Sequence, residues 1–411
     1  MKSELAGFME ADNLDALLIT GAGMHNPAMV YMTGGAHLTQ ADLIVKKGHT
    51  PFLFHGSMER DEAAKSGLET RSYSNYPYGE LISAADGDIN LARAIRYQRM
   101  LTDAGVTGGR VALYGRVDLG QGYALISSLQ KLMPELQFIG VMDEDVLLKA
   151  RYSKDTAEIE RIRQMGRVTT EVVGLTADFL TSQPVKDEVL CRPDGQPWTI
   201  GDVKRRINLW LAERGAENPE DTIFAIGRDA GVPHSSGKPS DVLRLGQTIV
   251  FDIYPCEVGG GYFYDFTRTW CLGYATEEAQ QLYDQVLKVY QRVVNELKVN
   301  VPFKKYQRLT CELFESLGHP TILSSPATEV GYVHSIGHGV GLNIHERPFS
   351  GGDSSDKDIL SLGAVFTIEP GLYYPERGLG VRLEDTYWVT PAGKLEILAD
   401  YPMDLVLPVK I

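Results

Sequence analysis

The strongest constraint on this chain is a set of acidic residues set inside apolar runs. Asp252 lies within Ile249-Val250-Phe251-Asp252-Ile253, and Asp265 within Tyr262-Phe263-Tyr264-Asp265-Phe266. Such runs read as buried strands, where an unpaired carboxylate costs several kcal/mol or takes up a proton. Gly259-Gly260-Gly261 supplies a turn between them, which predicts a hairpin presenting both carboxylates inward. Glu369 ends the run Val365-Phe366-Thr367-Ile368, just before Pro370-Gly371. Strand alternation then puts Arg382 and Glu384 on one face, with Val381 and Leu383 on the other. Carboxylates brought together raise one another's pKa unless a cation lies between them. The ordinary alternatives are ion pairs: a nearby base such as Arg268 for Asp252 or Asp265, and Arg382 with Glu384 across a strand.

A second cluster lies between these segments. His334, His338 and His345 are three of the nine histidines and fall within twelve residues. Gly337, Gly339 and Gly341 make a helix improbable here, so H-x-x-x-H is not a helical zinc signature. The same glycines would let backbone approach a bound ligand or metal closely. Four buried-strand carboxylates and this cluster share a stretch of about 130 residues. Hard oxygen donors with one or two imidazoles suit Mn, Co, Zn or Fe, singly or as a pair.

The rest of the chain frames these residues. Short β-rich runs (Ala16 to Ile19, Leu43 to Val45, Pro51 to Phe54, Val111 to Tyr114) alternate with helical patterning at Asn90 to Ala104 and Ala124 to Met133. That predicts an α/β domain over 1–152. A catalytic α+β domain with a largely antiparallel sheet is expected over 153–411. It opens on Asp155-Thr156-Ala157-Glu158, a capping-box pattern for a long helix. Further helices are expected through Val203, Ile207 and Trp210, from Thr276, and along Tyr306, Leu309, Leu313 and Leu317 with Gly318 behind. Strands are expected at Tyr262 to Trp270 and Val381 to Val389. At 411 residues, two or three domains are the prior. A net charge of −14 with no basic block argues against nucleic-acid partners. No stretch reads as a signal peptide or membrane span. Four scattered cysteines without CxxC spacing fit a reducing, cytoplasmic setting, and Cys271 and Cys311 read as core.

Taken in order, these segments resemble the pita-bread metallopeptidases, the family of proline-specific aminopeptidases, prolidases, methionine aminopeptidases and creatinase. The matching pieces are Val232-Pro233-His234, Phe251-Asp252, Asp265-Phe266-Thr267-Arg268-Thr269, His334 to Glu346, Ile368-Glu369-Pro370-Gly371 and Arg382-Leu383-Glu384-Asp385. The N-terminal part is more loosely similar to the creatinase-type domain, through Asp15-Ala16-Leu17 and Asn26 to Gly34. The resemblance implies a pita-bread catalytic domain behind a smaller α/β domain, and two divalent metal ions, manganese first among Mn2+, Co2+, Zn2+ and Fe2+. It implies Asp252 as ligand to one ion, His338 and Glu369 to the other, and Asp265 and Glu384 to both. It further implies that His234, His334 and His345 line the substrate pocket and stabilise the tetrahedral intermediate. Arg382 would buttress the ligands or contact substrate, and Glu369 would carry the proton to the leaving nitrogen. One departure is the spacing: twelve residues separate Asp252 from Asp265, where the family usually has ten. The even difference preserves strand parity.

All five ligand positions are filled, unlike in creatinase, and methionine aminopeptidases lack the large N-domain and the first histidine. The expectation is therefore an Xaa-Pro aminopeptidase using a hydroxide that bridges two metals, with an Xaa-Pro dipeptidase as alternative. The implied partners are a peptide with proline at its second position and a second copy of the chain, with neither nucleic acid nor membrane. Two competing readings are a non-catalytic binding protein on the same scaffold, and a nucleotide-binding enzyme suggested by Gly21-Ala22-Gly23. The latter lacks a third glycine and a clear following helix, so a plain turn is expected.

Overall fold

The computed structural model describes residues 4–141 and 145–409. Its contacts divide the chain into two units: Met1–Arg151 with Gly259–Gly261, and Tyr152–Val258 with Tyr262–Ile411.

In the first unit the Ala16–Gly21 strand lies inside a six-stranded mixed sheet. It runs antiparallel to Ala41–Lys46 and parallel to Gly109–Arg116. Because side chains alternate, Leu17 and Ile19 enter one apolar cluster while Ala16 and Leu18 enter the other. Both faces are thus covered, which is why the strand reads as an unbroken apolar run. Helices Ile89–Asp103 and Leu119–Leu132 pack on the Leu18 side. Gly21, at φ +114°, ends the strand, and a side chain on Gly23 would strike Leu38.

The second unit opens with the Thr156–Ser182 helix, whose Asp155 and Glu158 form the expected capping box. Its sheets are largely antiparallel. One pairs Ile223–Ile226, Thr248–Ile253 and Phe266–Leu272, closed by a parallel contact to Val406–Leu407. The other orders Glu346–Phe349, His338–Gly339, Val365–Ile368, Asp385–Val389 and Leu395–Ile397. Helices Glu277–Glu296 and Lys304–Ser316 bury apolar faces against Phe366, Ile368, Val381 and Leu383. Each such fully buried side chain stabilises the fold by about 1.5–3 kcal/mol. Alternation then sends Thr367, Glu369, Arg382 and Glu384 to the opposite side. The core therefore aims the polar residues.

The expected Lys304–Ser316 helix forms, burying Tyr306, Gln307, Thr310, Cys311 and Phe314, with Leu309, Leu313 and Leu317 packed partly buried against the same core and Gly318 at φ +87° behind it. Two expectations are corrected. The Tyr262 to Trp270 strand begins at Phe266, and Val381 to Val389 is broken at Leu383-Glu384. The aspartate hairpin is not a simple one. Thr248–Ile253 and Phe266–Leu272 pair as expected, with Asp252 opposite Thr267. Their connection, however, carries a short strand, Cys256–Glu257, that pairs with Ala216–Glu217. Cys271 and Cys311 are core residues. No helix among the described residues is long and apolar enough to cross a membrane.

Candidate metal centre

Asp252, Asp265, His338 and Glu384 are all buried, between 1% and 8% exposed. Asp265, His338 and Glu384 offer ligand atoms within 4.8 Å of one another. His338 Nε2 lies 3.4 Å from Asp265 Oδ2 and 3.6 Å from Glu369 Oε1. His338 Nδ1 sits 3.1 Å from the Gly339 carbonyl. A carbonyl only accepts, so Nδ1 carries a hydrogen and Nε2 is the nitrogen that faces the carboxylates, the one free to coordinate a metal once its own proton is lost.

Asp252 forms an ordinary ion pair, to Arg382, whereas Asp265 does not pair with Arg268, nor Arg382 with Glu384. Arg268 donates to Asp385 at 2.9 Å, leaving Asp265 free of it. Arg382 Nη2 donates to Asp252 Oδ2 at 2.5 Å rather than to Glu384. Glu384 Oε2 accepts from the Thr267 hydroxyl at 2.7 Å. One oxygen on each carboxylate remains without any hydrogen bond: Asp252 Oδ1, Asp265 Oδ1 and Glu384 Oε1. Buried polar atoms are rarely orphaned, and three on adjacent carboxylates call for a cation. The donor set fits divalent ions.

The electrostatics agree. With only protein groups present, burial lifts Asp265 to about 6 despite its hydrogen bond to His338. Burial likewise lifts Glu369 to about 7, against the pull of His338 and Arg382. Glu384 is raised well above the usual range by burial and then by Asp265, Glu369 and Asp252. For His338 burial opposes the charge, but the hydrogen bond to Asp265 and the charges of Glu369 and Asp265 prevail and raise it to about 9. This is one crowded set of negative charges sharing protons.

The remaining histidines divide into two kinds. His334 is held at both nitrogens: Nδ1 lies 2.8 Å from the Ser335 carbonyl and Nε2 2.8 Å from the Tyr373 hydroxyl. Burial, then the charge of Arg382, lowers it to about 3. His345 stacks edge-on against His338 with centroids 4.3 Å apart, and its nitrogens meet no hydrogen-bonding partner among the described residues. Burial, then His338 and His234, lowers it to about 4. His234 is exposed and follows Pro233, whose carbonyl accepts from Arg382 at 3.2 Å.

The glycines of the histidine segment serve strand packing. A Cβ on Gly337 would lie 2.0 Å from the Thr367 carbonyl oxygen, and one on Gly339 2.1 Å from that of Arg347. On Gly341 it would meet the Glu346 carboxylate at 2.1 Å. These close approaches are to neighbouring protein.

Several positioning residues escaped the sequence reading. Tyr373 links Arg382 to His334 through hydrogen bonds of 2.7 and 2.8 Å. Gln307, 5% exposed, clamps the histidine segment by accepting from Ile336 N at 2.6 Å and donating to the His334 carbonyl at 3.1 Å. Lys154 pairs with Glu346 at 2.7 Å, next to His345, with both side chains buried. The one available signal was Gln307 recurring with Cys311 and Phe314 at helical spacing.

The geometry gathers a carboxylate-rich cluster whose donors suit divalent metal ions. The model of metallopeptidase family M24 matches residues 160–391, and the chain belongs to that family. It is 30% identical over 251 residues to an Xaa-Pro dipeptidase of Pyrococcus furiosus, an alignment covering 61% of this chain and 64% of that protein. It is 25% identical over 388 residues to an Xaa-Pro dipeptidase of Pyrococcus horikoshii, covering 94% and 93%. Among solved structures, the X-Pro aminopeptidase from Thermotoga maritima matches with TM-score 0.75 at 23% identity, over 95% of this chain and 97% of that one. The prolidase from Pyrococcus furiosus matches with TM-score 0.72 at 22% identity, over 97% and 99%. These structural likenesses establish the two-domain pita-bread fold.

Proposed function

We propose that this protein hydrolyses the peptide bond preceding proline, as an Xaa-Pro aminopeptidase. The observation that carries the hydrolytic reading is the convergence of three orphaned carboxylate oxygens beside His338. In this proposal Asp252 holds one divalent ion, His338 and Glu369 hold a second, and Asp265 and Glu384 serve both. Manganese is our first assignment. When bound, two such ions supply Lewis acidity for the scissile carbonyl and a nucleophilic water at neutral pH.

The chain's own residues do the rest. Glu369 is our choice for taking up a proton beside the ligand cluster and delivering it to the leaving imino nitrogen. His345, lowered to about 4, is neutral at pH 7 with an uncommitted N–H, so it is our donor to the developing oxyanion, with His234 beside it. His334, engaged at both nitrogens, lines the pocket and orients. Arg382 stays charged and fixes Asp252. Proline direction is supported by the names of the relatives. The Pyrococcus sequences are called dipeptidases, which favours Xaa-Pro dipeptidase as the second reading.

Product analysis of manganese-reconstituted enzyme on Gly-Pro and on a longer Xaa-Pro-Xaa peptide tests both readings. Release of the first residue from the longer peptide is expected. Cleavage of Gly-Pro alone would move the assignment to the dipeptidase, and no cleavage of either at full metal occupancy would remove the proposal.

A further inference from the structure

Arg93, Arg96 and Arg116 line one cavity of about 1100 Å³ that lies wholly within the N-terminal unit. Its size suits a small organic ligand, for which pockets of about 300–1,000 Å³ are usual. It opens beyond the carboxyl ends of the parallel strands, where Gly21, Tyr114, Gly115, Arg116 and Gly140 line it. The Ala16–Gly21 strand has an antiparallel neighbour on one side and a parallel one on the other. Crevices beyond the carboxyl ends of parallel strands are where open α/β sheets bind ligands.

The charge there runs against the rest of the molecule. The chain carries −14 overall, yet three arginines line this cavity and the one acidic lining residue is Asp118. Its carboxylate is committed to capping its own helix, accepting from Gln121 N at 3.1 Å. None of the three arginines forms an ion pair among the described residues. Arg96 is held differently. Its guanidinium lies 4.9 Å from the Tyr73 ring centre and 5.5 Å from that of Tyr78. Ring faces fix the group without consuming its N–H donors. Its Nε is sealed from solvent and has no hydrogen-bond partner. A guanidinium held by ring faces, without an ion-pair partner and lining a cavity, is arranged to meet an anion. Arg93 lies three residues earlier on the same helix, hence on the same face. The rim is apolar: Leu119 is 86% exposed, Tyr123 76% and Val117 49%. One exposed leucine needs no explanation, but three such residues around one basic cavity do.

The geometry points to a second ligand site here, for a small organic anion of mononucleotide size. Its phosphate or carboxylate head would meet Arg93, Arg96 and Arg116, and its planar or apolar body would rest on Leu119, Tyr123 and Val117. Gly21 and Ala22, read from sequence as a plain turn, form part of its wall. The site shares no residue with the metal centre and does not depend on the peptidase reading.

Calorimetric titration of the full-length protein with AMP, N-acetyltryptophan and inorganic phosphate tests it. AMP and N-acetyltryptophan carry the two heads on a planar body, and inorganic phosphate is a head alone. One of the two organic anions should bind once per chain, and which one identifies the head. Phosphate should bind at least about tenfold more weakly. Arg96→Gln, and independently the exposed Arg116→Gln, should each weaken that binding about tenfold, Arg116→Gln with an unchanged melting temperature. Leu119→Ser should weaken the organic anion and leave phosphate as it was. The site is refuted if neither organic anion binds below about 1 mM, if phosphate binds as tightly as they do, or if both arginine variants bind like wild type.

Discussion

Both units of the molecule bury carboxylates in strands, and they treat them in opposite ways. In the N-terminal sheet Asp42 is 0% exposed, and hydroxyls from Thr20, Tyr73 and Tyr97 satisfy both of its oxygens. Burial, and next the charge of Asp42, raises the phenols of Tyr73 and Tyr97, so they remain donors. In the C-terminal unit Asp252, Asp265 and Glu384 each leave an oxygen without a partner. Asp385, adjacent to Glu384, behaves like Asp42: Arg268 and Tyr290 occupy its two oxygens. Burial alone therefore does not mark the site. What marks it is burial without satisfaction, tolerable only where something else supplies positive charge.

Asp265→Ala should break this contrast most severely. Loss of its carboxylate should reduce bound metal by at least one ion per chain and take peptide hydrolysis to background. Elemental analysis alongside turnover measures both, and wild-type values of each would remove Asp265 from the ligand set.

Protons should compete with metal only at the unsatisfied cluster. Asp265, Glu369 and His338 titrate at about 6, 7 and 9 without metal, and each must lose its proton to coordinate. Below those values the proton is bound and metal must displace it, so affinity rises with pH. Between pH 6 and 8 the apparent affinity should climb on the order of 10³-fold, with protons released on binding. Calorimetry in buffers of differing ionisation enthalpy reads the released protons. A pH-independent affinity would place the metal elsewhere.

Asp42→Ala tests the satisfied cluster. Three hydroxyls would lose their acceptor inside the sheet, at a cost on the order of 3 kcal/mol by denaturant unfolding. Metal content should not change. A drop in metal stoichiometry would undo the distinction between the two carboxylate classes.

Much of the site was legible in sequence because a carboxylate inside an apolar run is itself anomalous, as at Asp252, Asp265 and Glu369. Helix ends were legible for a local reason: the Asp155–Glu158 capping box needs only three residues' spacing. Asp42 escaped notice although Ala41-Asp42-Leu43-Ile44-Val45 has the same pattern, and its satisfaction comes from Thr20, Tyr73 and Tyr97, far away in sequence. Gln307 was missed because a polar residue on a helix is read as solvent-facing. Its partners, Ile336 N and the His334 carbonyl, are backbone atoms that leave no trace in composition. The connection between Asp252 and Asp265 was legible in parity but not in path, since its short strand pairs with Ala216–Glu217, a partner no local pattern announces.

The smallest expected effect separates ligands from the residues that hold them. Arg382 can only donate, so at 2.7 Å the Tyr373 oxygen accepts from it. The Tyr373 hydrogen is then free to point at His334 Nε2, 2.8 Å away, which must be the unprotonated nitrogen. Burial raises the Tyr373 phenol, keeping that hydrogen in place, while His334 Nδ1 spends its own on the Ser335 carbonyl. One hydroxyl thus sets the tautomer of His334 and the aim of Arg382, which in turn holds Asp252. Tyr373→Phe keeps the ring and removes only this link. Outer partners of metal ligands are worth about 10–100-fold, and because Arg382 keeps its bond to Asp252, the lower end is expected here. We predict kcat/KM reduced about tenfold with metal stoichiometry unchanged. Loss of metal would put Tyr373 in the same class as Asp265, whereas an unaltered rate would show that His334 needs no fixed tautomer.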